Sequence, residues 1–121
     1  MRILLAEDDP HISVIAKLCL EKIGGFAVTV VNDGEAALRE ALSESYDLIL
    51  LDEMMPKMNG LRVCHEYKSR SQQSRPVIFL SAKSQEADLK EFSNNGLGFI
   101  SKPFDPMALP AQILALIKGA A

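Results

Sequence analysis

The chain has 121 residues, 48% hydrophobic and 24% charged, with 16 acids against 13 bases and a net charge of −3. That length and composition suit one soluble domain spanning residues 1–121. The acidic balance without a basic cluster disfavours nucleic-acid binding by this domain itself, and no apolar stretch approaches the ~20 residues of a membrane span.

Met1-Arg2 leads directly into Ile3–Ala6, too short a run for a signal peptide, and reads as a first strand. Three acids follow, Glu7, Asp8 and Asp9. Asp9 before Pro10 predicts an N-cap with proline at the first helical position, opening a helix over Pro10–Lys22. Ile12, Ile15, Ala16, Cys19 and Ile23 recur at helical spacing and predict its core face. Gly24-Gly25 closes the helix, and Phe26–Val31 predicts a second strand. A helix over Gly34–Leu42 follows, capped either by Asn32 paired with Glu35 or by Asp33.

Leu48–Leu51 is an uninterrupted apolar run, as expected of a buried parallel strand, and it delivers Asp52. After Glu53-Met54-Met55-Pro56-Lys57-Met58, Asn59 caps a helix over Gly60–Arg70. Val77–Leu80 predicts a fourth strand that delivers Ser81, and Ser84 caps a helix over Gln85–Asn94. Asn95-Gly96 ends that helix; Phe99–Ile100 and neighbours predict a fifth strand ending at Lys102. Asp105 is the expected cap of a last helix over Pro106–Lys118, which Pro110 should delay or kink, and Gly119 suits its end. Strict alternation of strands and helices implies α/β architecture. With right-handed crossovers it suggests a doubly wound, five-stranded parallel sheet of order 2-1-3-4-5. Cys19 and Cys64 have neither metal-ligand spacing nor the density of a disulfide scaffold, so two buried free thiols in a reducing, cytoplasmic setting are expected.

An open parallel sheet places its ligands beyond the carboxyl ends of its strands. There Glu7 and Asp8 would face Asp52 from the neighbouring strand. Carboxylates crowded on one edge repel, and a hard divalent cation such as Mg²⁺ offsets that cost. Asp9 is better explained as a cap. Ser81 brings a hydroxyl to the same edge, although a serine at a strand end most often caps a helix. Lys102 brings a compact positive charge suited to phosphate or to a carboxylate cluster.

Together these segments resemble the receiver domain of two-component response regulators. The matching stretches are Ile3–Asp9, Asp47–Asp52 with Met55-Pro56 and Gly60, Leu80-Ser81-Ala82, and Lys102-Pro103-Phe104. Each is weak alone; all four in order are specific. The resemblance implies a (βα)5 flavodoxin-like, CheY-like fold with Asp52 as phosphoacceptor. Its donor would be a phosphohistidine on a sensor histidine kinase or a histidine phosphotransfer protein. Mg²⁺ would be bound by Asp8, Asp52 and the backbone carbonyl of Met54, with Glu7 acting chiefly through a metal-bound water. Ser81 and Lys102 would contact phosphoryl oxygens, and the Lys102–Pro103 peptide is expected to be cis.

Ser81 and Phe99 would form the switch. It would alter the surface of the fourth helix, fifth strand and fifth helix for a downstream output domain, a target protein or a phosphorylation-dependent homodimer. Met54 and Lys83 take the variable positions beside the phosphoryl group, and apolar Met54 should hinder the hydrolytic water. Glu53 receives no role, and His11 and His65 read as bystanders. The chain is expected to accept and slowly lose phosphate without being a metabolic enzyme. It would be either a stand-alone signalling protein or the receiver part of a longer one.

Other readings fit less well. Haloacid-dehalogenase phosphatases need a second aspartate two residues after the nucleophile, where Met54 stands, and their nucleophile follows the first strand. A flavin-binding module needs a hydroxyl- and glycine-rich loop after the first strand, where Glu7-Asp8-Asp9 would repel phosphate. The runner-up is a phosphorylation-independent interaction module of the same fold.

Overall fold

The computed structural model describes residues 1–72, 75–82 and 86–119, with backbone only at 86–89 and 93. The elements run β1 (Arg2–Ala6), α1 (Pro10–Lys22), β2 (Ala27–Val31), α2 (Gly34–Ser43), β3 (Leu48–Asp52), α3 (Gly60–Arg70), β4 (Val77–Ser81), α4 (Glu86–Asn95), β5 (Gly98–Ser101) and α5 (Leu109–Gly119). All strand pairs are parallel, in the order β2-β1-β3-β4-β5, as the alternation predicts.

The period-2 pleat divides each central strand between two cores. Leu4, Ile49, Leu51 and Phe79 face α2, α3 and α4, while Ile3, Leu48, Leu50 and Ile78 face α1 and α5. Burial on both faces explains why β3 and β4 read as continuous apolar runs. It also means that the polar residues ending them are held by rigid backbone.

The caps are largely as expected. Asp9 accepts from the His11 amide ahead of Pro10, and Asn59 accepts from the Arg62 amide. At α2 the alternatives resolve to Asp33, which accepts from Ala36 N–H. Three expectations need correction. Ile15 on α1 and Ile23 just past its end are exposed, and Ser13 and Leu20 take the core face with Ala16 and Cys19. α5 begins at Leu109, not Pro106, so Pro110 lies in its first turn, where a missing N–H costs nothing. Asp105 caps no helix there; it accepts from the amide of Met107 and closes a turn through its carbonyl to Ala108. The expected cap Ser84, like Lys83, lies outside the described residues. Both cysteines are buried free thiols. Among the described residues no helix is long and apolar enough to cross a membrane.

Candidate functional site

Four strands deliver polar groups to one edge of the sheet. β1 is followed by Glu7 and Asp8, β3 ends in Asp52, β4 ends in Ser81, and β5 is followed by Lys102. The register pairs Asp52 with Leu80 and Ser81 with Ser101, so the ends of β3, β4 and β5 lie level. Lys102 is fixed to that edge by its own amide, which donates to the Ser81 carbonyl at 2.7 Å. The Lys102–Pro103 peptide is cis, as expected.

The centre of the site is charged and buried. Lys102 Nζ donates to Glu7 Oε1 at 2.5 Å and lies 3.1 Å from Asp52 Oδ1. Glu7 is fully buried, and its second oxygen accepts from the Asp9 amide at 3.3 Å. Asp52 is 5% exposed and accepts weakly from the Met54 amide at 3.4 Å. Asp8 is exposed, yet one oxygen each from Glu7, Asp8 and Asp52 lie within 4.8 Å of one another.

These distances set the electrostatics. Burial first, then the hydrogen bond and charge of Glu7, push the Asp52 carboxyl up to about 7, against the opposing pull of Lys102. Burial acts downward on Lys102, but Glu7 and Asp52 outweigh it and raise its pKa above the ordinary value. One ammonium therefore does not compensate three carboxylates. An all-oxygen, net-negative cluster open on the Asp8 side fits a hard divalent cation such as Mg²⁺.

The remaining expected residues are placed as follows. Ser81 is buried at the end of β4. Phe99 is half-buried in β5, and its ring centroid lies 6.3 Å from that of Phe92, which in turn packs on Phe79. Met54 is 71% exposed and shares a cleft of about 520 Å³ with Asp8, Glu53, Met55, Pro56 and Asn59. His65 is exposed on α3, and His11 is exposed at the start of α1 beside Pro103.

Two features escape sequence reasoning. Glu53 is only 6% exposed, although a charged residue in a loop reads as solvated. Its backbone explains this: its N–H donates to the Leu80 carbonyl and its carbonyl accepts from Gly60 N–H, which draws the residue inward. A Cβ on Gly60 would lie 2.5 Å from the Asp52 carbonyl oxygen, so only glycine lets α3 start this close to β3. The second is the corner at Asp33-Gly34, where the amide of Gly34 donates to the Pro56 carbonyl at 3.2 Å. The available sequence signal was the glycine itself, at a first helical position where nothing requires one.

The family model described as response regulator receiver domain matches residues 3–114. The response regulator ArlR of Staphylococcus saprophyticus is 38% identical over 118 residues, which cover 97% of this chain and 52% of that protein. The transcriptional regulatory protein ResD of Bacillus subtilis is 33% identical over 98% of this chain and 49% of its own length. The chain thus spans about half the length of these relatives. Among solved structures, the receiver domain of Francisella response regulator 1452 superposes with a TM-score of 0.87 at 30% identity, covering 99% of this chain and 98% of that one. The receiver domain of the sensor histidine kinase PA1611 of Pseudomonas aeruginosa PAO1 has a TM-score of 0.84 at 29% identity, with 97% of each chain covered. That structure has a magnesium ion coordinated in its active-site cleft.

Proposed function

This chain belongs to the response regulator receiver-domain family, a two-component signalling module rather than a metabolic enzyme, and from that premise we propose that Asp52 is its phosphoacceptor. The observation that carries the reading is the bridge of Lys102 between Glu7 and Asp52, beside Asp8, at the carboxyl edge of the sheet. An oxygen of Asp52 forms the new O–P bond as the N–P bond of a phosphohistidine breaks, and the imidazole keeps the electron pair. The donor is a sensor histidine kinase or a histidine phosphotransfer protein, which places the exchange in the cytoplasm.

Glu7, Asp8, Asp52 and the backbone carbonyl of Met54 would hold Mg²⁺. When bound, it supplies positive charge to phosphoryl oxygens and to carboxylates that otherwise repel one another. The chain's own groups do the positioning. Lys102 offers its ammonium to a phosphoryl oxygen, and Ser81 offers its hydroxyl to another. Such transfer depends mostly on placement and charge stabilisation. Movement of Ser81 toward the phosphoryl group frees space for the Phe99 ring, which changes the α4-β5-α5 surface for an output domain, a target or a second copy. Slow hydrolysis of the aspartyl phosphate returns the domain, residues 1–121, to rest.

Incubation with Mg²⁺ and acetyl phosphate, followed by intact mass and peptide mapping, tests this. One phosphoryl group on Asp52, absent in Asp52→Asn, is expected. A folded protein that gains no phosphoryl group would favour a phosphorylation-independent interaction module instead.

A further inference from the structure

The loop between β3 and α3, residues 53–59, has to hold the Met54 carbonyl in place, and its bracing comes from the start of α2, which packs on the same face of the sheet as α3. Pro56 O accepts from the amide of Gly34, and also from Met58 N at 2.8 Å. Met58 presents its carbonyl directly to the Gly34 Cα: an added Cβ would lie 1.9 Å from Met58 O and 2.6 Å from Met58 C. Those atoms are backbone, so no rotamer change relieves the clash. Between them Lys57 is held at φ 71, a left-handed conformation that L side chains rarely adopt. Its ammonium reaches Asp33 Oδ2 at 3.6 Å, on the residue that caps α2. An exposed ion pair of that length is weak, so the bracing lies in the fit of backbone on backbone.

We infer that the Asp33-Gly34 corner is a positioning element for the phosphoacceptor loop, with Gly34 the residue that sets where the loop sits. Gly34 touches none of the proposed ligands. It acts through Pro56 and Met58, which share a short loop with Met54. The inference rests on the proposed function, because it assumes that this loop contributes to a Mg²⁺ site. Partners that orient the ligands of a metal typically change affinity by about 10–100-fold when altered.

Calorimetric titration of the whole chain with Mg²⁺ tests it, with urea unfolding run in parallel. Gly34→Ala should weaken Mg²⁺ binding about tenfold or more. Leu38→Ala removes a buried side chain from the same helix. It should lower the urea midpoint while leaving Mg²⁺ affinity within about twofold, because cavity formation in the core does not displace the loop. Should Gly34→Ala not fold, Asp33→Ala takes its place; it removes the side-chain cap that fixes the first turn of α2, and with it Gly34, against Pro56 and Met58, and affinity should fall severalfold. Unchanged affinity in the folded Gly34→Ala protein, or in Asp33→Ala where that variant stands in, overturns the inference. So does an equal loss in Leu38→Ala. A wild-type chain that binds no Mg²⁺ overturns the proposed site and this inference together, whereas binding that ignores the corner overturns this inference alone.

Discussion

Asp52 pays for its position in the metal-free protein. Its carboxyl is raised from 3.8 to about 7, chiefly by burial and then by Glu7. Between those values the folded chain keeps a proton that the unfolded chain has released, so stability falls as pH rises from about 4 to 7 and levels above. A tenfold change in proton affinity is worth about 1.4 kcal/mol, which holds the loss to a few kcal/mol at most. The raised Lys102 loses its contribution only above the ordinary lysine range, outside this window. Asp52→Asn should therefore unfold at higher urea than the wild type at pH 8 without metal, and the difference should vanish near pH 4. A wild-type midpoint flat across that range would contradict the assignment. Met54 carries a second prediction. Its exposed thioether side chain stands at the mouth of the cleft and offers an incoming water only a weak acceptor. Met54→Asn should shorten the aspartyl-phosphate half-life severalfold, measured by following loss of the labelled phosphoryl group; an unchanged or longer half-life would refute it. At this scale the acids, the serine and the lysine were legible because each ends or follows a strand. Glu53 was not, because the backbone hydrogen bonds that draw it inward, to Leu80 and from Gly60, join it to β4 and α3 and leave no local pattern in the sequence.

Element boundaries follow from a few local rules, and the exceptions show where those rules stop. α1 is apolar nearly all round, with Ile12, Val14, Ile15, Ala16, Leu18, Cys19 and Leu20 in succession around Lys17. Periodicity then permits more than one core face, and packing against β1, β2 and α5 selects the one through Ala16 and Leu20. At α5 two signals competed. Asp105 before Pro106 looks like a helix start, but in a helix begun there the ring of Pro110 would crowd the carbonyl of Pro106, and the helix begins only at Leu109. The junction of β3 with α3 tests how tightly an element can control the site. Gly60 N–H donates to Glu53 O, and its Cα lies against the Asp52 carbonyl. Gly60→Ala must push the start of α3 away from β3, at the cost of about 1–3 kcal/mol typical of overpacking. The urea midpoint should drop accordingly, and acetyl phosphate labelling of Asp52 should slow even where the protein is fully folded. Normal labelling in the folded variant would show that the acceptor does not depend on this contact.

Across the whole molecule, alternating patterns were enough to give the parallel sheet, because strands buried on both faces leave an unmistakable apolar signature. Contacts between loops leave none: Gly34 against Met58 joins segments whose sequences carry no shared period. That asymmetry has a thermodynamic counterpart. Both cores bury ordinary apolar side chains, whereas the carboxyl edge gathers three carboxylates around one lysine and weakens the fold to which it is attached. A cation that binds only the folded arrangement should return that stability by mass action. At a hundred times its dissociation constant the gain is about 2.7 kcal/mol. The urea midpoint should rise with Mg²⁺ while the slope stays constant, since the surface exposed on unfolding is unchanged. Chelation should reverse the gain. Asp52→Asn begins from a higher metal-free midpoint and should respond much less, because it has lost both the repulsion and one of the oxygens that the cation relieves. An equal Mg²⁺ response in both proteins would mean that the ion acts elsewhere on the surface. The opposite shifts of one substitution, up without metal and down in metal response, distinguish a binding site from a general salt effect, which would move both proteins together.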